Sequence, residues 1–269
     1  MNRRAFLNGA MFAAGASLLG IRPSVATAES SLETTQIRIH RTESTCVAPG
    51  LVAEDLLRAE GFSDVQYVKR PSGTGADLLA TGQVDLTMAL AGLLVHRLDA
   101  GRPVVALAGV HVGCYEVFGS ERIHAVSDLK GKTVAVPALT SAHYTFLATM
   151  MAHVGLDPRK DITVAEIPIG EAGERLAAGK IDGLVAFPPE PQELRAKKIG
   201  HVVVNTILDR PWSQYFCCML AGSKEFVRKH PVATKRALRA ILKATSICAL
   251  EPERVARLLV DRGYATRYD

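Results

Sequence analysis

Two short stretches of this 269-residue chain, with several single residues, carry side chains whose types and spacing could hold a small ligand. Ser72-Gly73-Thr74-Gly75 places two hydroxyls and two glycines just ahead of an apolar helical pattern. Hydroxyls and unpaired N–H groups at a helix start suit a carboxylate, sulfonate or similar oxyanion. The same residues suit a tight turn in which Ser or Thr caps the helix, and the sequence leaves both readings open. No Gly-Lys-Ser/Thr follows, so the phrase is not a P-loop. Thr140-Ser141-Ala142-His143 has the same two readings. Arg41 could face an anion or sit in an ordinary surface ion pair. Ser44, Thr45, Ala91, His111 and Glu190 complete the candidate ligand set, each just beyond a strand-like run.

The sequence points away from metal and covalent chemistry. His40, Cys46, His111, Cys114 and His143 are acceptable ligands for a borderline metal. Yet no Cys-x-x-Cys or His-Glu-x-x-His spacing occurs, and His111 and Cys114, on a continuing strand, should point to opposite faces. Cys217 and Cys218 are adjacent in a strand-like run and should likewise diverge. The five cysteines are odd in number and form no spaced framework. They read as buried small hydrophobes with at most one bridge. Gly-x-Ser-x-Gly, Cys-x-x-Cys-His and a Gly-x-Gly-x-x-Gly after a strand are all missing. The expectation is a protein with no metal, no cofactor and no catalytic residues.

These candidates fall in a regular alternation of elements. Strand patterns at 37–41, 65–70, 84–90 and 104–110 alternate with helical patterns at 49–60, 72–81 and 92–100, predicting a parallel α/β sheet. A second series follows, with strands at 133–136, 162–167, 183–187 and 201–206 and helices at 141–154, 171–178 and 189–198. A further strand at 215–221 leads into a wholly helical tail opened by Pro231 and Pro252. The tail is predicted to lie across the first unit. In such sheets ligands bind beyond the carboxyl ends of the strands, so the candidate loops should converge if the units face each other.

Asn2-Arg3-Arg4-Ala5-Phe6-Leu7, the apolar run Ala10–Ile21 and the small-x-small Ala26-Thr27-Ala28 read as a twin-arginine export signal over residues 1–28. The apolar run is too short to span a bilayer. Its three arginines account for most of the formal charge, which falls from +5 to +2 without them. No basic stripe interleaved with aromatics remains, so nucleic acid is not an expected partner. The expected location is the periplasm, reached through the Tat translocase.

The phrase Leu79-Ala-Thr-Gly-Gln-Val-Asp85 and its echo Leu176-Ala-Ala-Gly-Lys-Ile-Asp182 resemble a Leu-x-x-Gly-x-(Val/Ile)-Asp signature of bacterial solute-binding proteins. Asp128-Leu-Lys-Gly-Lys132 and Val154-Gly-Leu-Asp-Pro158 extend the resemblance to the nitrate/sulfonate/taurine group of ABC-importer substrate-binding proteins, to which fungal thiamin-pyrimidine synthases are similar. The resemblance implies a type II periplasmic-binding fold, an α/β architecture with lobe 1 at 36–118 and lobe 2 at 122–210. Residues 215–269 return to lobe 1, and two crossovers, near Phe118–Val126 and Asn205–Gln214, form the hinge. It implies capture of a small anionic organic solute and delivery to an ABC permease and ATPase complex. A thiamin-pyrimidine-precursor synthase and a periplasmic sensory module are the alternatives. Members of the group usually carry further helices after the point where this chain ends, so the resemblance makes the C-terminus look incomplete.

Overall fold

The computed structural model describes residues 30–42, 44–69 and 74–265. The export signal read over residues 1–28, and the Ser72-Gly73 half of the glycine–hydroxyl phrase, lie outside the described residues.

Two five-stranded sheets organise the rest. The first contains β1 (Gln36–Arg41), β2 (Asp64–Lys69), β3 (Leu86–Leu90), β4 (Val104–Val112) and β10 (Phe216–Ser223), in the order β2-β1-β3-β10-β4. The second contains β5 (Glu116–Gly119), β6 (Thr133–Val136), β7 (Thr163–Glu166), β8 (Gly183–Ala186) and β9 (His201–Asn205), ordered β7-β6-β8-β5-β9. All four residues of β8 are buried, as expected of a central strand covered on both faces.

The sheets are mixed, which corrects the all-parallel expectation. β10 runs antiparallel to β3 and β4, and β5 antiparallel to β8 and β9. Each of these strands enters its sheet from the other lobe at the carboxyl edge, so it must run back against its neighbours. The two sheets therefore form two α/β lobes of a type II periplasmic-binding fold. The first crossover also differs from its predicted position at Phe118–Val126. It lies at Gly113–Tyr115, because Glu116 already pairs with Ala186 and Asn205 in the second sheet. Gly113 (φ 79°) and Cys114 (φ 107°) make the turn.

The helix expected over 49–60 is broken into α1 (Ala48–Leu51) and α2 (Glu54–Ala59). The Tyr67 hydroxyl donates to the Gly50 and Leu51 carbonyls at 3.0 and 3.3 Å, taking the acceptors a continuous helix would use. The helices after it are α3 (Gly75–Ala80), α4 (Ala91–Asp99), α5 (Ala142–His153), α6 (Ala172–Ala177) and α7 (Glu190–Ala196). The tail is α8 (Lys224–Lys229), α9 (Pro231–Leu250) and α10 (Pro252–Asp261). Along α9, Ala233, Ala237, Ala240, Ile241 and Ala244 are fully buried and join one core with Ile37, Leu51 and Leu57. The small side chains let α9 sit close on α1 and α2, so the tail does return to the first lobe.

The echoed phrase has one structural job in both lobes. Asp85 accepts the Arg38 N–H at 2.8 Å and returns its own N–H to the Arg38 carbonyl at 2.8 Å. Asp182 does the same with Thr133, at 2.9 and 2.8 Å. Each aspartate, just ahead of β3 or β8, ties that strand to its parallel neighbour, β1 or β6.

Candidate binding cleft

Between the lobes lies a cleft that Leu90 and Tyr115 divide into two cavities, since both residues line both. The smaller, about 380 Å3, is bounded on the first-lobe side by His40, Ser44–Val47, Thr74–Ala76 and Met88–Leu90. His143, Ile169, Phe187 and Pro188 close it from the second lobe. The larger, about 620 Å3, lies against α4, α5 and both crossovers, with Phe146, Trp212, Tyr215 and Phe216 in its wall. Both volumes suit small organic ligands. The described lining of the two cavities includes no lysine or arginine.

The structure sorts the predicted site residues. Ser44, Thr45, Thr74, Gly75 and His143 line the smaller cavity, and Ala91 the larger. Gly75 is required there: a Cβ would lie 2.2 Å from Thr87 Oγ1 and 2.7 Å from His40 Nδ1. Thr74 is a helix cap. Its hydroxyl accepts the Asp77 N–H at 3.3 Å and donates to the Asp77 carboxylate at 2.7 Å. Arg97 and the Thr74 hydroxyl hold that carboxyl down at about 2. Ser141 is also a cap, accepting the Tyr144 N–H at 3.2 Å, and is not in either cavity wall.

Three further candidates are not cleft-lining. Arg41 turns away: its Nη2 donates to the Gly263 carbonyl at 2.6 Å and its guanidinium stacks 4.6 Å from the Tyr264 ring centre. The α10 end offers a carbonyl and an aromatic face there, which the sequence separation concealed. Glu190 is buried at the start of α7, where Gly170 N–H reaches it at 3.4 Å. His111 lies behind the wall, its Nε2 2.9 Å from the Cys46 carbonyl oxygen. Trp212 packs edge-on against Phe146 and His153 while also facing the larger cavity.

Two cleft residues hold buried polar atoms with no partner: Tyr115 Oη and His143 Nε2. Both side chains are more than nine-tenths buried, and their rings meet edge to face at 5.2 Å. Phe146 stacks on Tyr115 at 5.1 Å, and Phe187 touches both rings. Burial drops the His143 pKa to about 4, so the ring is neutral at pH 7. A buried donor or acceptor without a partner costs about 1–3 kcal/mol, and both of these atoms belong to residues that line the smaller cavity. Tyr115 was missing from the predicted set. Its signal was its place directly after the fourth strand, where the chain passes between sheets.

Behind Tyr115 the expected divergence of Cys217 from Cys218, and of His111 from Cys114, is not found. Phe216 pairs with Val112 and Cys218 with His111, leaving Cys217 as a bulge, and a second register shift follows Cys218. A bulge cancels the alternation of side chains. The Cys114, Cys217 and Cys218 sulfurs therefore lie within 4.8 Å of one another, as do the ligand atoms of Cys46, His111 and Cys114. Hydrogen bonds from Cys114, Cys217 and Cys46 hold the Cys218 thiol below its ordinary pKa. The same crowding, with burial, holds Cys114 above its own.

Residues 30–260 match the model of the NMT1-like family. The chain is 24% identical over 224 residues to the nitrate import ATP-binding protein NrtC of Synechocystis sp., a match covering 75% of this chain and 33% of that protein. It is 26% identical over 218 residues to the taurine-binding periplasmic protein of Escherichia coli, covering 77% of this chain and 66% of the relative. For the bicarbonate-binding protein CmpA of Synechococcus elongatus the match covers 41% of this chain and 24% of the relative. The chain thus spans about a quarter to two thirds of the length of these curated relatives. Among solved structures, the aliphatic sulphonate binding protein SsuA of Escherichia coli superimposes with a TM-score of 0.69 at 18% identity, covering 86% of this chain and 79% of that one. The nitrate-binding protein NrtA of Synechocystis gives 0.66 at 19%, covering 86% and 66%. With the family model matched across nearly all of the described residues, the chain belongs to the NMT1-like family.

Proposed function

We propose that this protein captures a small organic solute with an anionic or acceptor-rich head between its two lobes and delivers it to an ABC importer. The observation that carries the reading is the pair of partnerless buried atoms, Tyr115 Oη and His143 Nε2, in the wall of the interlobe cleft. A solute oxygen bridging them would satisfy both, and Phe187 would cover its apolar body. Among the described lining residues, the donors available to the head are the Tyr115 hydroxyl, the Ser44 and Thr45 hydroxyls, and backbone N–H groups. Binding to both lobes would favour the closed arrangement and shift an open–closed equilibrium that the importer reads.

The solute classes in the relatives' names, nitrate, taurine, aliphatic sulphonate and bicarbonate, frame the ligand as a small anion. The likeness to an import ATP-binding protein frames the partners as a permease and its ATPase. The function is capture without chemical conversion. Residues 1–28 would direct the chain to the periplasm through the Tat translocase. The test is a thermal-shift screen against alkanesulfonates, taurine, nitrate, bicarbonate and aromatic carboxylates. A true ligand at 100 times its Kd adds about 2.7 kcal/mol, a rise of roughly 5–10 °C in Tm for a chain of this size. No shift with any of them, or recovery of a chemically altered solute, rejects the reading.

A further inference from the structure

We propose that Cys46, His111, Cys114, Cys217 and Cys218 form a binding site for a thiophilic d10 cation, zinc or monovalent copper in class, at the floor of the cleft. The donors form two triads that share Cys114, and within each triad all ligand atoms lie within 4.8 Å. Cys46 comes from the loop after β1, Cys114 from the first crossover, and Cys217 and Cys218 from the strand that follows the second. They meet only because the chain folds them together from three distant places.

Three features separate this site from ordinary buried thiols. The first is spacing. Sulfurs sharing a tetrahedral zinc at about 2.3 Å sit about 3.8 Å apart, whereas a disulfide needs about 2.05 Å. Cys46 and Cys114 lie at 3.3 Å, too far apart for a disulfide, and within each triad the ligand atoms lie within 4.8 Å, so a modest inward shift would bring them onto one cation. The second is orientation of the imidazole. His111 Nε2 sits 2.9 Å from the Cys46 carbonyl, so in the neutral ring with that nitrogen donating, Nδ1 is the nitrogen left to bind a cation. Nδ1 is 3.6 Å from Cys114 Sγ and 3.3 Å from the Val112 carbonyl. A histidine ligand fixed by a backbone carbonyl through its other nitrogen is the usual arrangement at metal sites. The third is the backbone. Cys114 holds φ at 107°, a region that residues with a side chain rarely adopt, and the shift between Phe216 and Cys218 leaves Cys217 unpaired with β4 beside Cys218.

A tetrahedral cation takes four donors, and Cys114, common to both triads, is the hub. Each sulfur that joins the cation does so as a thiolate, its proton passing to solvent, and no oxidant or reductant takes part. Cys46 and Cys218 also line the smaller cavity, so the cation lies directly beneath the solute space and ties both crossovers to the first lobe.

The test uses the full chain prepared without air and dialysed against Zn2+, with no solute present, so its outcome is independent of the solute reading. The expected result is one Zn2+ retained per chain, with Co2+ in its place giving sulfur-to-cobalt charge-transfer bands and tetrahedral d–d bands. Cys114→Ser should remove those bands and weaken Zn2+ roughly tenfold or more. Cys248→Ser, whose thiol lies outside both triads, should change neither. If Cys114→Ser fails to fold, the zinc stoichiometry and the cobalt spectrum of the unaltered chain decide alone. A chain that retains no Zn2+ or Co2+ while all five thiols react freely overturns the proposal. So does a Cys46–Cys114 disulfide in the air-free protein.

Discussion

The two lobes are built alike at one end and differently at the other. At the foot of each sheet, Asp85 and Asp182 make the same paired backbone bonds to Arg38 and Thr133. At the mouth, where the strands end, the two linings differ. The first presents hydroxyls, glycine and thiols; the second presents His143, Phe187 and Ile169. The part of the sequence that repeats is therefore scaffold, and the part that does not repeat shapes the lining of the cleft. Even the feet differ in one respect. Asp85 is buried and also takes the Arg38 guanidinium at 2.7 Å, whereas Asp182 is half-buried and faces a threonine.

That difference can be tested, beginning with the largest effect. Asp85→Ala strands the Arg38 N–H and leaves its guanidinium, itself about a third exposed, without its carboxylate. Denaturant titration should show a loss of about 2–4 kcal/mol, the lower half if solvent screens the guanidinium. Gly75→Ala probes the mouth: its methyl would press on Thr87 and His40, costing about 1–3 kcal/mol and weakening solute together with stability. Asp182→Ala removes only the backbone lock and should cost about 1–2 kcal/mol. An equal loss at Asp85 and Asp182 would break the distinction between the feet.

The smallest effects on stability should come from the cleft aromatics. Tyr115→Phe deletes a hydroxyl that has no partner, so unfolding free energy should stay level or rise slightly. Calorimetry should meanwhile show solute affinity falling by about tenfold. His143 adds a pH signature. Its folded pKa of about 4 lies below the ordinary 6.5, so between these values the unfolded chain binds more protons. Stability should decline as pH drops from 6.5 towards 4, and His143→Leu should flatten that slope.

Much of this architecture was readable from the chain. The alternation of apolar runs and helical patterns located nearly every strand, because burial imposes a period on each element. Pro231 and Pro252 announced the helices of the tail, but the alanine face on which α9 packs was not read from the sequence. What could not be read were departures from period. The bulge at Cys217 and the turn at Cys114 are set by how β10 enters between β3 and β4, a tertiary event that no local pattern records. Arg41 was misjudged for the same reason: Gly263 and Tyr264 meet it across 222 and 223 residues of chain. The candidate site was legible as a set of loops but not as a set of contacts.

The order of strands in the first sheet bears on how the molecule is made. Its β10 lies more than a hundred residues downstream of β4, whereas every strand of the second sheet falls between Glu116 and Asn205. A ribosome thus releases the second lobe as an uninterrupted stretch while the first still has a gap between β3 and β4. The later-made half can close on itself early, and the earlier-made half must wait with an open seam for its last strand.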